Sequence, residues 1–129
     1  MISKELKESI GIHHIVFTVS SAVKSQEFYT KIFGKPNFAN LQTAIYSIGQ
    51  TMLILVEKDL TSGNSKFNPN VIGLDHVAFG LKGLNELQQI EMVLTENYIE
   101  HSGIHIDNSS HKEKIWLNDP SNIRIEFYI

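Results

Sequence analysis

Gly11-Ile12-His13-His14-Ile15-Val16-Phe17-Thr18-Val19 and Gly73-Leu74-Asp75-His76-Val77-Ala78-Phe79-Gly80-Leu81 are two versions of one phrase. Glycine, histidine and phenylalanine match outright, and the other apolar positions match by type. A repeat of this kind makes the chain two copies of one unit, so every later segment is read against its counterpart. In the first copy Ser25, Phe28, Tyr29 and Ile32 stand at i, i+3, i+4 and i+7, behind the candidate caps Ser20 and Ser21 and ahead of Gly34. That is the spacing and punctuation of a helix. In the second copy Leu84, Leu87, Glu91, Leu94 and Tyr98 share a helical face, widened by Ile90 and Val93. Short extended runs follow each helix: 37–42, 43–48 and 52–57 with a Gly49-Gln50 turn, then 100–106, 114–118 and 123–129 with an Asp119-Pro120-Ser121-Asn122 turn. The expected fold class is α+β, with two tandem βαβββ modules at about 11–57 and 73–129 joined by a linker over 58–72.

Composition narrows the rest. With 129 residues and 42% apolar side chains, the chain can close one hydrophobic core, so 1–129 is expected to be a single domain. The net charge of -3 and the scatter of the eleven basic residues give nucleic acid nothing to bind. No apolar run nears the roughly 18 residues of a membrane span. Residues 1–11 lack the apolar centre of a signal peptide, so a cytoplasmic protein is expected. Absence of cysteine removes disulfides and thiolates, leaving His, Asp and Glu to hold any metal.

Strand parity then separates a structural face from a working face. Ile15, Phe17 and Val19, Val77, Phe79 and Leu81, and Ile123, Ile125, Phe127 and Ile129 form apolar sets expected to pack beneath the helices. The opposite sets are His14, Val16 and Thr18; His76, Ala78 and Gly80; and Arg124, Glu126 and Tyr128. Such mixed side chains suit a cavity wall better than a core. Two histidines at equivalent repeat positions, with a carboxylate on the parity that should face them, are a ligand set for Fe, Mn, Ni, Co or Zn with coordination positions left open. His14, His76 and Glu126 are therefore the expected metal ligands. By parity His13 is expected to point away from His14. The pocket candidates are Thr18, Tyr46, Ile54, Trp116, Arg124 and Tyr128: Arg124 for an anionic substrate, Tyr128 for a hydrogen bond, Tyr46 and Trp116 as aromatic walls. The catalytic residues are not assigned. The polar stretch 105–114 reads as a solvated hairpin loop or a lid, with His111 as a candidate acid or base.

These segments resemble the vicinal oxygen chelate superfamily of glyoxalases, bleomycin resistance proteins and extradiol dioxygenases. The opening strand and helix, from His14 through Ser25, Phe28-Tyr29 and Phe33-Gly34, are similar to the family's opening. Trp116-Leu117-Asn118-Asp119-Pro120-Ser121-Asn122-Ile123-Arg124-Ile125-Glu126 resembles its closing hairpin, whose Glu is a metal ligand. The resemblance implies an open, cupped mixed sheet with helices on the outer face, and a divalent metal ion that a small-molecule substrate chelates through vicinal oxygens. It implies a metal-dependent lyase, isomerase, transferase or dioxygenase; the alternative is a metal-free binding protein of the bleomycin-resistance kind. Matching the two hairpins puts Ile54 opposite Glu126, where glyoxalase I has a second Glu, so that activity is disfavoured. Exposed sheet edges and the 15-residue linker favour a two-fold homodimer, with sites contained in one chain or shared between two.

Overall fold

A computed structural model describes residues 1–63 and 65–129. Its elements run α1 (Lys4–Ser9), β1 (His14–Val19), α2 (Ala22–Phe33), β2 (Phe38–Ala39), β3 (Thr43–Ile48) and β4 (Thr51–Glu57), then β5 (Val77–Gly80), α3 (Leu84–Glu96), β6 (His105–Ile106), β7 (Glu113–Asn118) and β8 (Arg124–Tyr128). The first copy forms a sheet in the order β1-β4-β3-β2 and the second one in the order β5-β8-β7-β6. In both, the first strand pairs parallel with the last and the others pair antiparallel. The fold is α+β, two repeated modules whose sheets stay open.

Local chemistry explains where the helix between β1 and β2 begins and ends. Ser21 accepts a hydrogen bond from the Lys24 amide, and Glu57 Oε1 accepts one from the Ala22 amide at 3.0 Å, so two otherwise unpaired helix donors are satisfied. Glu57 thus faces the helix, away from Ile54. Gly34 ends α2 with φ +79°, a conformation that costs glycine nothing.

Parity holds through the core. Phe17, Val19, Ile125 and Phe127 are buried, with Ile15, Val77 and Phe79 packed against them. Helices α2 and α3 cover this face and touch one another. The two modules share the core, because Phe33 of α2 lies 5.5 Å from Phe79 and 6.1 Å from Phe127, ring centre to ring centre. Polar ties reinforce the join. The Tyr29 hydroxyl donates to Asp119 Oδ2 at 2.8 Å, and the Ser20 amide donates to Ser121 Oγ at 2.9 Å. The Phe67 amide in the linker donates to the Ser121 carbonyl, which fastens the connection to the β7–β8 turn. Residue 64 of the linker lies outside the described residues.

Several expectations change. Helix α1 buries nothing and is held by its Ser3 cap, so no apolar periodicity announced it. β2 and β6 each keep only two paired residues. Tyr46, expected to face the pocket, is 1% exposed and sits under α2, bonded to Thr30 Oγ1 and to the Gln26 carbonyl. Its β3 neighbour on the same parity, Ala44, is also fully buried, so this is the helix-covered face of the strand.

Candidate metal centre

His14 opens β1 and His76 directly precedes β5, at equivalent places in the two modules. Register makes the equivalence concrete: Val16 pairs with Ile54 and Ala78 pairs with Glu126, so Ile54 occupies in the first sheet the position of Glu126 in the second. On the second sheet His76 and Glu126 converge. His76 Nε2 stands 3.2 Å from Glu126 Oε2, while His76 Nδ1 stands 2.7 Å from Asp75 Oδ1. Asp75 beside Nδ1 orients the ring, so that Nε2 is presented to Glu126.

The first sheet repeats this arrangement with a different partner. His14 Nδ1 lies 2.9 Å from His13 Nδ1, with the two rings edge to face at 5.2 Å. In each module the preceding residue therefore engages Nδ1 of the repeat histidine. Parity alone points His13 away from His14, but β1 begins only at His14, so His13 is free to turn back. His14 does not join His76 and Glu126 within the chain: among the described residues no three His, Asp or Glu side chains converge on one point.

Glu126 is nearly closed off, with a side chain 4% exposed. Its Oε1 accepts from Lys114 Nζ at 3.2 Å, and the same ammonium pairs with Asp107 Oδ1 at 3.3 Å. Burial pulls the Lys114 pKa down, but the bonds to Glu126 and Asp107 outweigh it and hold it above the usual lysine value. Hydrogen bonding from Tyr128 and from the Ser110 backbone keeps Asp107 below the usual carboxylate range. Asp107 Oδ2 also accepts from the Ser109 and Ser110 amides, and the His111 amide bonds the Asp107 carbonyl. The 105–114 stretch is thus a hydrogen-bonded hairpin, with exposed His111 at its tip in a left-handed conformation (φ +59°).

The remaining candidates fall on both sides of a seam. Thr18 and Val16 of β1 line a cleft of about 190 Å³ together with His76, Leu74, Phe67 and Ile123. Ile54 lies half-buried between Val16 and Ile45. Arg124 stacks on Trp116 with Cζ 4.0 Å from the ring centre. The Tyr128 hydroxyl bonds Ser110 Oγ at 2.9 Å.

This geometry has counterparts among solved structures. A glyoxylase/bleomycin resistance protein/dioxygenase domain from Frankia sp. superposes with a TM-score of 0.77 at 22% identity, covering 93% of this chain and 97% of the other. A glyoxalase family protein from Enterococcus faecalis gives 0.74 at 20%, covering 95% and 99%. The chain has the glyoxalase/bleomycin resistance fold. Lactoylglutathione lyase from Agrobacterium tumefaciens shares that fold more loosely, with a TM-score of 0.69 at 17% identity over 92% of each chain. No family model and no curated protein matches the sequence.

Within this glyoxalase/bleomycin resistance fold, the His76–Glu126 pair fits a divalent ion on chemical grounds. Two donors 3.2 Å apart are spaced as they would be at about 2.1 Å from one ion and about 100° apart around it, and imidazole with carboxylate suits the first-row metals. Sequence reasoning missed Lys114 and Asp75. Lys114 was within reach, since it shares the parity of Trp116 on β7 and pairs with Tyr128. Asp75 stood in the repeated phrase itself. No helix among the described residues is long and apolar enough to cross a membrane.

Proposed function

We propose that the protein is a metal-dependent enzyme of the vicinal oxygen chelate type, acting on a small molecule that offers two neighbouring oxygens to the metal. The observation that carries this reading is the convergence of His76 Nε2 on Glu126 Oε2, with Asp75 orienting the ring through Nδ1. His14, presented at the equivalent position and separate from that pair, supplies the third ligand from a second subunit of a two-fold homodimer. Exposed Ile12, Val16, Val71, Ile72 and Leu74, on β1 and the segments beside it, supply apolar surface for that contact. When bound, an Fe, Mn, Ni, Co or Zn ion would act as a Lewis acid on a chelated carbonyl or enediolate, or hold O2 beside a catecholate.

The chain's own groups do the rest. Asp75 and His13 orient the ligand histidines, and Val16, Ile54 and Leu74 give the site apolar walls. Lys114, bonded to Oε1, holds the Glu126 carboxylate in place. The protein would work in the cytoplasm, without nucleic acid or membrane as a partner. Ile54, where glyoxalase I has Glu, leaves three protein ligands and argues against that activity.

A second reading has its own support. Lys114 already neutralises Glu126, as would suit a metal-free binding protein of the bleomycin-resistance kind. Metal analysis of protein purified without chelator separates the two. The enzyme reading expects one divalent ion per chain, lost in His76→Ala. Protein that stays empty at millimolar Mn(II), Ni(II) and Zn(II) favours the binding reading.

A further inference from the structure

Arg124 and Glu126 share one face of β8, two residues apart, yet they are not partners. Both Glu126 oxygens are engaged elsewhere, Oε2 with His76 and Oε1 with Lys114, each at 3.2 Å. Lys114, the other cation on this face of the second sheet, is itself held between Glu126 and Asp107. Arg124 instead lies on the Trp116 ring, and among the described residues its guanidinium has no ion pair and no hydrogen bond. A guanidinium held over a ring face keeps N–H donors available, and such a fork can receive a carboxylate through two parallel bonds. A half-buried fork with five donors and no acceptor is able to take an anion.

We propose that Arg124, laid on Trp116, binds a carboxylate of the ligand, so that the site takes a small organic acid with chelating oxygens at one end and a carboxylate at the other. A single uncommitted cation matches one carboxylate charge better than a phosphate dianion. The strand rise places the clamp about 6.6 Å along β8 from Glu126, a few bonds of ligand away. The chelating end rests on the proposed metal site, whereas the acidic end rests on Arg124 alone.

Trp116 is the only tryptophan, so its fluorescence reports directly on this clamp. With Mn(II)-loaded protein, 2-oxoglutarate should bind at least about tenfold more tightly than 2-oxopentanoate, which has the same head and an uncharged tail. Arg124→Gln should abolish that preference while still binding Mn(II), and Arg124→Lys should retain part of it. In metal-free wild-type protein, glutarate should change the Trp116 emission saturably and uncharged glutaramide should not. If no Mn(II) binds, the metal reading fails by itself and the glutarate comparison still decides the clamp. Equal binding of the two oxo acids or a preference that survives in Arg124→Gln overturns the proposal, as does an equal response to glutarate and glutaramide.

Discussion

Replacing Tyr29 by Phe removes one oxygen from the join between the modules and nothing else. The lost bond is short, 2.8 Å, and buried at both ends, with Tyr29 0% and Asp119 5% exposed. Asp119 Oδ1 keeps the Ser121 and Ile123 amides, but Oδ2 is left without a donor away from water. A bond to a charged group of this kind contributes about 1.5–3 kcal/mol, and Phe fills the same volume, so no cavity adds to the loss. At roughly 4 °C per kcal/mol for a chain of this size, the melting temperature should fall by roughly 6 to 12 °C. Tyr46→Phe is the control. Its hydroxyl bonds only the neutral Thr30 hydroxyl and Gln26 carbonyl, so the loss there should be about 1 kcal/mol. Calorimetry of the two variants gives the comparison, and hydrogen exchange should quicken at Ser121 and Ile123 in Tyr29→Phe alone. A Tyr29→Phe protein no less stable than Tyr46→Phe would refute the view that this bond anchors the hairpin carrying Glu126.

The same tyrosines set an alkaline limit. Burial, then the charge of Asp119, holds Tyr29 well above the usual tyrosine pKa, and burial raises Tyr46 as well. Unfolded tyrosines lose their proton near pH 10 while the folded ones keep theirs. Stability should therefore fall as pH rises past 10, by up to about 1.4 kcal/mol per pH unit for each, and Tyr29→Phe should make the slope seen by denaturant titration shallower, leaving the shares of Tyr46 and of the raised Lys114. Lys114→Met should leave buried Glu126 without its counter-charge and cost about 2–3 kcal/mol in metal-free protein. The rise in melting temperature on adding Zn(II) should then be larger in Lys114→Met than in wild type, and an equal rise would mean that Lys114 does not stand in for the metal's charge. Asn122→Ala should lower the melting temperature by a few degrees, because φ is +65° there and the side chain also holds the Phe67 carbonyl. Asn122→Gly, which removes only the second effect, should lose less.

The repeated phrase carried most of the fold into view, because it set both the register and the helix-covered face of β1 and β5. Ser21 and Gly34 punctuated α2 as read, and Asn122 took the left-handed turn in place of a glycine. Helix α1 escaped notice since a helix that buries nothing leaves no apolar period. Tyr46 was misplaced for a related reason. β3 carries Ala44, Tyr46 and Ile48 on one face and Ile45 between Thr43 and Ser47 on the other, so polarity separates its faces poorly, and only packing against α2 decides. In the site, parity put Glu126 and Arg124 on one face, but which oxygen meets which cation depends on side-chain lengths. That is why Lys114 reaches Glu126 while Arg124 settles on Trp116. The turn of His13 toward His14 depends on where β1 begins, one residue later than parity needs.

Metal stoichiometry in a mixture of two variants tests the central claim most directly. His14→Ala and Glu126→Ala chains should each bind no divalent ion when pure. Mixed, unfolded and refolded together, they should recover one ion per heterodimer, because one of its two sites draws His14 from the Glu126→Ala chain and His76 with Glu126 from the His14→Ala chain. Equilibrium dialysis against Mn(II) reads the result, with the heterodimer isolated by differential tags. No recovered ion in an intact heterodimer, or full binding by either variant alone, would contradict a centre built from His14, His76 and Glu126 across two subunits.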